Sequence, residues 1–261
     1  MGVTADAAEP KVFGFRMSPA TSAEVADAVV SRRRAPAEGV GLIVTPNIHH
    51  ITMLRTDREF VAAYESAEVI TCDGFPVYYY AHWRHSAAPG RVTGCDIVAD
   101  IFRHPGLTDG HRLFFVLDHP TTESAVHAWA ALHGLSAAIE TTIPPLGFER
   151  DAAFCLALAE RIHAHATTIL FMGVGAPKSE IFVNRQRASL PPCWALCIGQ
   201  AVKIELGMTV KPPKIVQTIN LEWLWRIMLE PRRLTGRYAT AAVGFLLAIR
   251  DDLRRAAGGT G

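Results

Sequence analysis

Several motifs that mark common enzyme classes are missing from these 261 residues. The chain has no Walker lysine motif, no GxSxG elbow and no HExxH motif, which argues against ATP hydrolysis, serine-hydrolase chemistry and zinc-peptidase chemistry. It also lacks an Asp-x-Asp pair, which many nucleotide-sugar enzymes use to hold a divalent ion. We therefore expect an activity that needs no metal ion and no other cofactor.

Cysteine is scarce, and its arrangement suits neither a disulfide framework nor a metal site. The five cysteines are an odd number, and no two of them form a CxxC pair. We interpret them as reduced core thiols of a cytosolic protein. Histidine offers no ligand set either: His163 and His165, for example, stand two positions apart and would project from different faces of a helix.

The sequence has neither a long hydrophobic run nor a strong charge of one sign. The apolar run 241–249 is too short to cross a bilayer, and the start of the chain lacks the pattern of a secretory signal. A formal net charge of +1 argues against a general nucleic-acid binder. Residues 221–261, however, carry seven arginines against four carboxylates, which suits reversible contact with an anionic membrane. We expect a cytoplasmic protein bound peripherally to the inner face of the plasma membrane, and homo-oligomerisation stays open.

The sequence does contain a regular alternation of short apolar runs and amphipathic segments. Strands are predicted at 41–44, 69–71, 113–117, 137–141, 168–172 and 194–198, and helices at 23–33, 57–66, 77–83, 96–103, 121–132, 152–164 and 178–188. This order is typical of an α/β fold with a Rossmann-like, mostly parallel sheet flanked by helices. Residues 1–20 are expected to form an irregular lead-in. A Lys-Pro-Pro-Lys break separates the expected catalytic body (1–210) from a helical, membrane-associating C-terminal appendage (211–261).

The stretch 221–238 combines an apolar helix stripe with four arginines. Its apolar residues recur at helical spacing, and Pro231 should stop or kink that helix. The arginines are Arg226, Arg232, Arg233 and Arg237. Guanidinium groups match phosphate oxygens in geometry and charge, and Trp and Leu suit a membrane interface. Taken alone, the stretch fits both a solvated surface helix and a surface that binds a diphosphate group at a membrane.

Polar residues follow the first two predicted strands, and open parallel sheets collect their ligands at such strand ends. Thr45 and Asn47 follow the first strand, and Asp73 follows the second, directly before Gly74. Partial burial beside aromatic residues would raise the pKa of Asp73 toward the working range of a general base. The alternative is an aspartate that caps the next helix.

A glycine-containing loop, GVGAPK at 173–178, follows the strand at 168–172. It resembles half of a dinucleotide-binding fingerprint, and such a turn can present backbone N–H groups to a diphosphate at a helix N-terminus. An NAD(P)-dependent oxidoreductase is therefore an alternative. That reading requires a complete GxGxxG and an acidic residue about 20 positions further on, and the third glycine is missing here.

Several stretches, in this order along the chain, resemble the WecG/TagA/CpsF glycosyltransferases (glycosyltransferase family 26). They are TPNIHHITML, ITCDGFPV, RVTGCDIV, FMGVGAPKSEIF and LEWLWRIMLEPRRLTGRY, between about Gly41 and Tyr238. The resemblance implies an inverting, metal-independent hexosyltransferase of surface polysaccharide biosynthesis. Such an enzyme moves a sugar from a UDP-sugar to a polyprenyl-diphosphate-linked sugar at the cytoplasmic membrane face.

The resemblance also implies roles for individual residues. Asp73 would be the general base that deprotonates the acceptor hydroxyl. The other expected substrate-binding residues are Thr45 and Asn47 in the sugar pocket, Arg91, Gly94 and Asp96 as framework or donor contacts, Gly173, Gly175, Pro177, Lys178, Ser179 and Glu180 at the diphosphate and sugar, and Arg226, Arg232, Arg233 and Arg237 at the lipid diphosphate.

The chain departs from the family pattern at several positions of the expected donor pocket. Ser179 replaces the glutamine of a usual Pro-Lys-Gln-Glu, Asp118-His119-Pro120 replaces a glycine-rich turn, and Lys203 stands where an aspartate is common. The donor therefore stays open among N-acetylmannosamine, its uronic acid and glucose. A catalytically inactive, membrane-associated scaffold of the same fold is a second alternative.

Overall fold

The computed structural model describes residues 11–84, 90–209 and 231–258, without the side chains of 231–235 and 237–239. Six parallel strands form the main sheet in the order β4-β3-β8-β7-β5-β6. Their bounds are β3 Gly41–Val44, β4 Val69–Ile70, β5 Leu113–Val116, β6 Ile139–Thr142, β7 Ile169–Met172 and β8 Trp194–Cys197. A separate antiparallel pair precedes them, formed by β1 (Lys11–Val12) and β2 (Phe15–Arg16).

Helices connect and cover these strands. The α-helices are α1 Ser22–Val30, α2 Ile48–Met53, α3 Arg58–Glu65, α4 Phe75–Arg84, α5 Gly94–Arg103, α6 Pro120–Leu132, α7 Ala152–Ala164, α8 Lys178–Arg185, α9 Ala201–Glu205 and α10 Pro231–Gly258. Short 3₁₀ turns lie at Pro36–Glu38, Pro105–Thr108, Ser136–Ala138 and Phe148–Arg150.

The four central strands are short and fully buried, with the sequences GLIV, WALC, ILFM and LFFV. Continuous apolar runs of this kind belong to parallel strands that are covered on both faces. One face packs against α2, α3, α4, α7, α8 and α10, and the other against α1, α5, α6 and α9. The molecule therefore has two hydrophobic cores, one on each side of the sheet. The predicted α/β fold with a mostly parallel, helix-flanked sheet is confirmed.

The structure adds elements that the sequence did not predict. Residues 48–53 form α2, where no helix was predicted; the Asn47 side chain caps it by accepting from the N–H groups of His49 and His50. The expected irregular lead-in contains the β1–β2 hairpin. Its two turn residues, Phe13 and Gly14, both have positive φ (56° and 89°), as the twist of a two-residue hairpin favours.

The C-terminal helix α10 begins at Pro231, a position that suits proline because the first helical residue has no N–H to donate within the helix. The predicted helix before Pro231 and the expected boundary at 211–214 lie outside the described residues. Further along, α10 packs against α2: Thr52 Oγ1 donates to the Ala241 carbonyl at 3.1 Å. Among the described helices, none combines the length and apolar character needed to span a bilayer.

Candidate active site

The carboxyl ends of the central strands line up along one edge of the sheet. Val44, Cys197, Met172 and Val116 occupy the same row of the register, so the residues that follow them share this edge. The expected site residues Thr45, Asn47, Asp73 and Gly173 are all just beyond strand ends. This is where open parallel sheets bind their ligands.

Gly74, the residue after Asp73, lies against Asn47 at this edge. Gly74 has a φ of +80°, a conformation that L side chains rarely adopt, and a side chain there would meet Asn47 Cβ at 3.5 Å. Since α4 begins at Phe75, its N-cap position is Gly74 and not Asp73. The half-buried Asp73 carboxylate thus reaches the edge of the sheet from a turn that glycine makes.

Arg91 is held close to Asp73 by its surroundings. The Val92 N–H donates to the Cys72 carbonyl at 3.0 Å, and the Arg91 guanidinium lies 4.1 Å from the centroid of the Phe75 ring. The pKa of the Cys72 thiol is raised to about 12, mainly by burial and in part by the charge of Asp73, whereas the charge of Arg91 opposes the rise. The Arg91 guanidinium therefore lies beside the 72–75 segment that carries Asp73.

Thr45 and Gly94 meet where β3, β8 and α5 converge. Thr45 is buried, and a side chain at Gly94 would lie 3.4 Å from Thr45 Oγ1 and 3.5 Å from Ile198. Asp96 accepts from the Thr93 N–H and hydroxyl at 3.0 and 2.7 Å, in a capping box that starts α5. The carboxylate of Asp96 thus stabilises the helix start, which lies against Thr45 and Ile198 at the strand ends.

The two polar groups of the Asn47 side chain have different roles: Oδ1 caps α2, and the amide NH₂ group can still donate a hydrogen bond. Its Oδ1 accepts from the His49 N–H at 2.9 Å and the His50 N–H at 3.4 Å. The amide NH₂ group is then the part of the side chain that can donate to a substrate hydroxyl.

The loop between β7 and α8 crosses the same edge. A side chain at Gly173 would make a tight contact, 3.1 Å from the Val116 carbonyl oxygen. Gly175 has a φ of +81°, and the Ala176–Pro177 peptide bond is cis. The helix then starts at Lys178, which is half-buried. Backbone N–H groups at such a helix start can bind an anion.

Ser179 and Glu180, by contrast, point into the protein. Ser179 is fully buried and its hydroxyl donates to the Gly175 carbonyl at 3.3 Å. Glu180 is 1% exposed, and burial raises its pKa to about 8. Within the described parts of the chain, its Oε2 atom has no hydrogen-bond partner.

Comparison of nearly the whole sequence with protein-family models identifies the family of the chain. The model of the Glycosyl transferase WecG/TagA/CpsF family matches residues 10–258. The chain belongs to this family. The match extends beyond the stretches at 41–238 that carried the resemblance, and it covers every candidate residue. It assigns the protein to glycosyltransferases and not to the NAD(P)-dependent oxidoreductases.

Two of the departures from the WecG/TagA/CpsF pattern contact each other. Lys203 Nζ on α9 lies 2.7 Å from Asp118 Oδ2, just after β5. Because β7 lies between β8 and β5 in the sheet, this ion pair connects the chain after β8 to the chain after β5 across the end of β7. The sequence showed both substitutions but gave no sign that they pair, since 85 positions separate them.

The predicted arginines of the C-terminal region are only partly placed. Arg226 lies outside the described residues, and Arg232, Arg233 and Arg237 belong to the first turns of α10, where side chains are not described. Their expected contact with a lipid diphosphate stays a prediction.

Within the described residues, the cysteines form no disulfide and the potential metal ligands form no cluster. All five cysteines are free thiols, and burial raises the pKa of Cys193 to about 12 and that of Cys197 well above its usual value. No group of three or more His, Cys, Asp or Glu side chains in the described ranges could hold a metal ion.

Proposed function

We propose that this glycosyltransferase is an inverting, metal-independent enzyme that moves a sugar from a UDP-sugar to a polyprenyl-diphosphate-linked sugar during surface polysaccharide biosynthesis. The observation that carries the proposal is the position of Asp73. It lies at the carboxyl edge of the sheet, directly before Gly74, which approaches Asn47, and the Arg91 guanidinium lies over the ring of Phe75 in the same turn. The chain belongs to a family that transfers sugars.

Asp73 would act as the general base. It accepts the proton of the acceptor hydroxyl while the acceptor oxygen attacks the anomeric carbon of the donor. The bond from that carbon to the UDP oxygen breaks on the opposite face, and its electron pair leaves with UDP. One displacement of this kind inverts the anomeric configuration.

The departing diphosphate would be stabilised by the loop at 173–178 and by nearby cations. Negative charge develops on the leaving oxygen in the transition state, where fixed N–H groups and cations are most effective. The loop that leads into α8 would supply the N–H groups, and Lys178 and Arg91 would supply positive charge. Cations of the protein would thus take the role that a metal ion has in many other sugar transfers.

Contact with a membrane is supported by exposed apolar side chains near the site. On α4, which directly follows the Asp73 turn, Tyr79 is 58% exposed and Trp83 is 69% exposed. Val243 and Leu246 are exposed on α10. Aromatic side chains with a polar tip are typical of the membrane–water interface, where a lipid-linked acceptor would be found.

The test is an Asp73→Asn variant assayed with a panel of UDP-sugars and a synthetic polyprenyl-diphosphate sugar. We expect transfer to fall by about 10²–10⁴-fold, the usual contribution of a general base, while thermal stabilisation by UDP stays close to wild type. Asp109→Asn is the matched control, because Asp109 is exposed and follows the far end of α5. Near-normal turnover by Asp73→Asn would remove Asp73 from the mechanism.

An inactive scaffold is the second candidate, and two observations favour it. Ser179 is buried in place of the expected amide, and Lys203 forms an ion pair with Asp118 in the expected donor pocket. Under this reading, the wild-type protein would bind a UDP-sugar but would neither hydrolyse nor transfer it. The same panel, scored for thermal stabilisation, donor hydrolysis and transfer, separates the two functions.

A further inference from the structure

The strand order places a crevice of the carboxyl edge between β5 and β7. After β5 the chain passes through α6, on one face of the sheet, to β6 on the side away from β7. After β7 it passes through α8, on the other face, to β8 on the side away from β5. The chain therefore diverges in two directions where these neighbouring strands end. Open α/β sheets bind their ligands in such a crevice, where the strand order reverses.

An ion pair crosses the end of β7 at this crevice. Lys203 Nζ on α9 lies 2.7 Å from Oδ2 of Asp118, the second residue after β5. The side chains are 21% and 37% exposed, respectively, so both can be reached by a ligand. Within the described residues, the other carboxylate oxygen, Oδ1, has no hydrogen-bond partner. The lysine thus holds one oxygen of Asp118 and leaves the other available as an acceptor.

Glycines leave open space at the same edge. Gly173, the first residue after β7, is enclosed, because a side chain there would lie 3.1 Å from the Val116 carbonyl oxygen and 3.5 Å from that of Gly199. Gly175 and Gly199 have positive φ angles of 81° and 52°, and a side chain at either would meet no described atom within 4 Å. Backbone of this kind permits a ligand to approach closely.

A nucleotide sugar bound along this edge would bring its ribose to Asp118. Asp73 follows β4, the loop proposed to bind the diphosphate follows β7, and Asp118 follows β5. Neighbouring strands are about 4.8 Å apart, so β4 and β5 are separated by about 19 Å, which the acceptor hydroxyl, the sugar and the diphosphate can span together. With the anomeric carbon toward Asp73 and the diphosphate at the loop, the nucleoside lies on the β5 side.

We propose that Asp118 binds the ribose diol of the donor nucleotide and that Lys203 is its positioning residue. The free oxygen of a carboxylate can accept from two adjacent hydroxyls, and acidic side chains bind ribose in this way in dinucleotide sites on similar sheets. A carboxylate close to a diphosphate would repel it, and the charge of Lys203 offsets that repulsion. The inference rests on the proposed function for the nucleotide-sugar donor, and it identifies the part of the donor that this ion pair recognises.

Equilibrium binding of UDP and 2′-deoxy-UDP to the full chain tests the role of Asp118. Isothermal titration calorimetry gives the ratio of the two Kd values. We expect the wild type to bind UDP about ten- to a hundredfold more tightly, the usual effect of a hydrogen bond to a charged group. Asp118→Ala should bring the ratio close to one, whereas general damage lowers both affinities together. Asp109→Ala is the matched control, since it removes an exposed carboxylate before β5, at the opposite edge of the sheet, and it should keep the wild-type ratio.

The role of Lys203 is tested by removing and then restoring its charge. Lys203→Met should lower the ratio to a value between those of the wild type and Asp118→Ala, because the carboxylate loses its fixed orientation. Lys203→Arg should restore the wild-type ratio. Equal ratios in the Met and Arg variants would show that Lys203 does not position Asp118. A wild-type ratio in Asp118→Ala, or a ratio near one in the wild type, would overturn the ribose site.

Binding requires neither an acceptor nor turnover, so the ribose site and the proposed function can fail separately. If the wild type discriminates between the two nucleotides through Asp118 but transfers no sugar, the proposed function is wrong and the ribose site stands. If it transfers sugar while Asp118→Ala keeps the wild-type ratio, the ribose site is wrong and the proposed function stands. A wild type that binds neither nucleotide overturns both.

Discussion

Asp73 and Glu180 are two carboxyl groups of one candidate site in opposite environments. Asp73 is half-buried at the sheet edge, near the cation of Arg91, whereas Glu180 lies in the core without a cationic partner among the described residues. The first environment keeps a carboxylate available to a substrate. The second keeps a proton on the side chain and makes it part of the protein interior.

Burial of Glu180 should make stability depend on pH in a defined direction. Its pKa is about 8 in the folded protein against a usual 4.5, so the folded state binds more protons, and stability falls as pH rises from about 4.5 to about 8. Glu180→Gln should remove this loss, and its stability relative to wild type should rise between pH 5 and pH 8 by a few kcal/mol, at about 1.4 kcal/mol per unit. Urea unfolding at the two pH values measures the difference. Equal wild-type and variant slopes with pH would contradict a buried neutral acid.

The sequence predicted the position of candidate residues that directly follow a strand, but it did not predict contacts between residues that are far apart along the chain. Asp73, Thr45 and Asn47 each follow a buried strand, so their place at the sheet edge could be inferred from the pattern. The packing of α8, which carries Glu180, against α3 and the Asp118–Lys203 ion pair join distant parts of the chain. Neither leaves a signal within a short window of sequence.

The secondary-structure elements also differ in how far local sequence determines them. Strand β3 and helix α7 have the predicted bounds, because a compact apolar run and a capped amphipathic run define them locally. Helix α2 was missed, since the Thr-Pro-Asn sequence resembles a simple break. The Asn47 cap was its one local signal; the remainder of its stabilisation comes from packing on α10 and α3.

Gly244 controls how closely α10 can approach α2. A side chain at this position would collide with Thr52, whose hydroxyl is already bonded to Ile48 and Ala241 carbonyls. Gly244→Ala should therefore destabilise the protein by about 1–3 kcal/mol, the usual cost of overpacking, as measured by thermal unfolding. Gly236→Ala is the matched control in the same helix, since nothing described lies within 4 Å of that site. The control should be neutral or stabilising by up to about 1 kcal/mol; equal effects of both changes would contradict the close approach.

At the scale of the whole molecule, α10 joins the expected appendage to the catalytic body. Its side chains Phe245 and Ala248 are buried in the core with α2 and α4, and Ala241 is buried against α2. Phe245 packs against Phe13 of the N-terminal hairpin and against Tyr80 of α4, and Tyr80 donates to Asp252 at 2.7 Å. The C-terminal half of α10 thus anchors the helix, and its N-terminal turns carry Arg232, Arg233 and Arg237.

This arrangement allows membrane binding to be tested without disturbing the core. Replacing Arg232, Arg233 and Arg237 together by Gln removes three positive charges from the start of α10. Each basic residue near an anionic surface contributes about 1 kcal/mol, so three should lower partitioning onto phosphatidylglycerol-containing vesicles about a hundredfold. Co-sedimentation at fixed ionic strength measures this effect, and thermal unfolding shows that the fold is retained.

The control replaces Arg250, Arg254 and Arg255 at the other end of the same helix, with an identical change in net charge. If both triple variants lose vesicle binding equally, general charge attraction explains the loss and the prediction is wrong. A loss confined to the first variant places the start of α10 at the membrane.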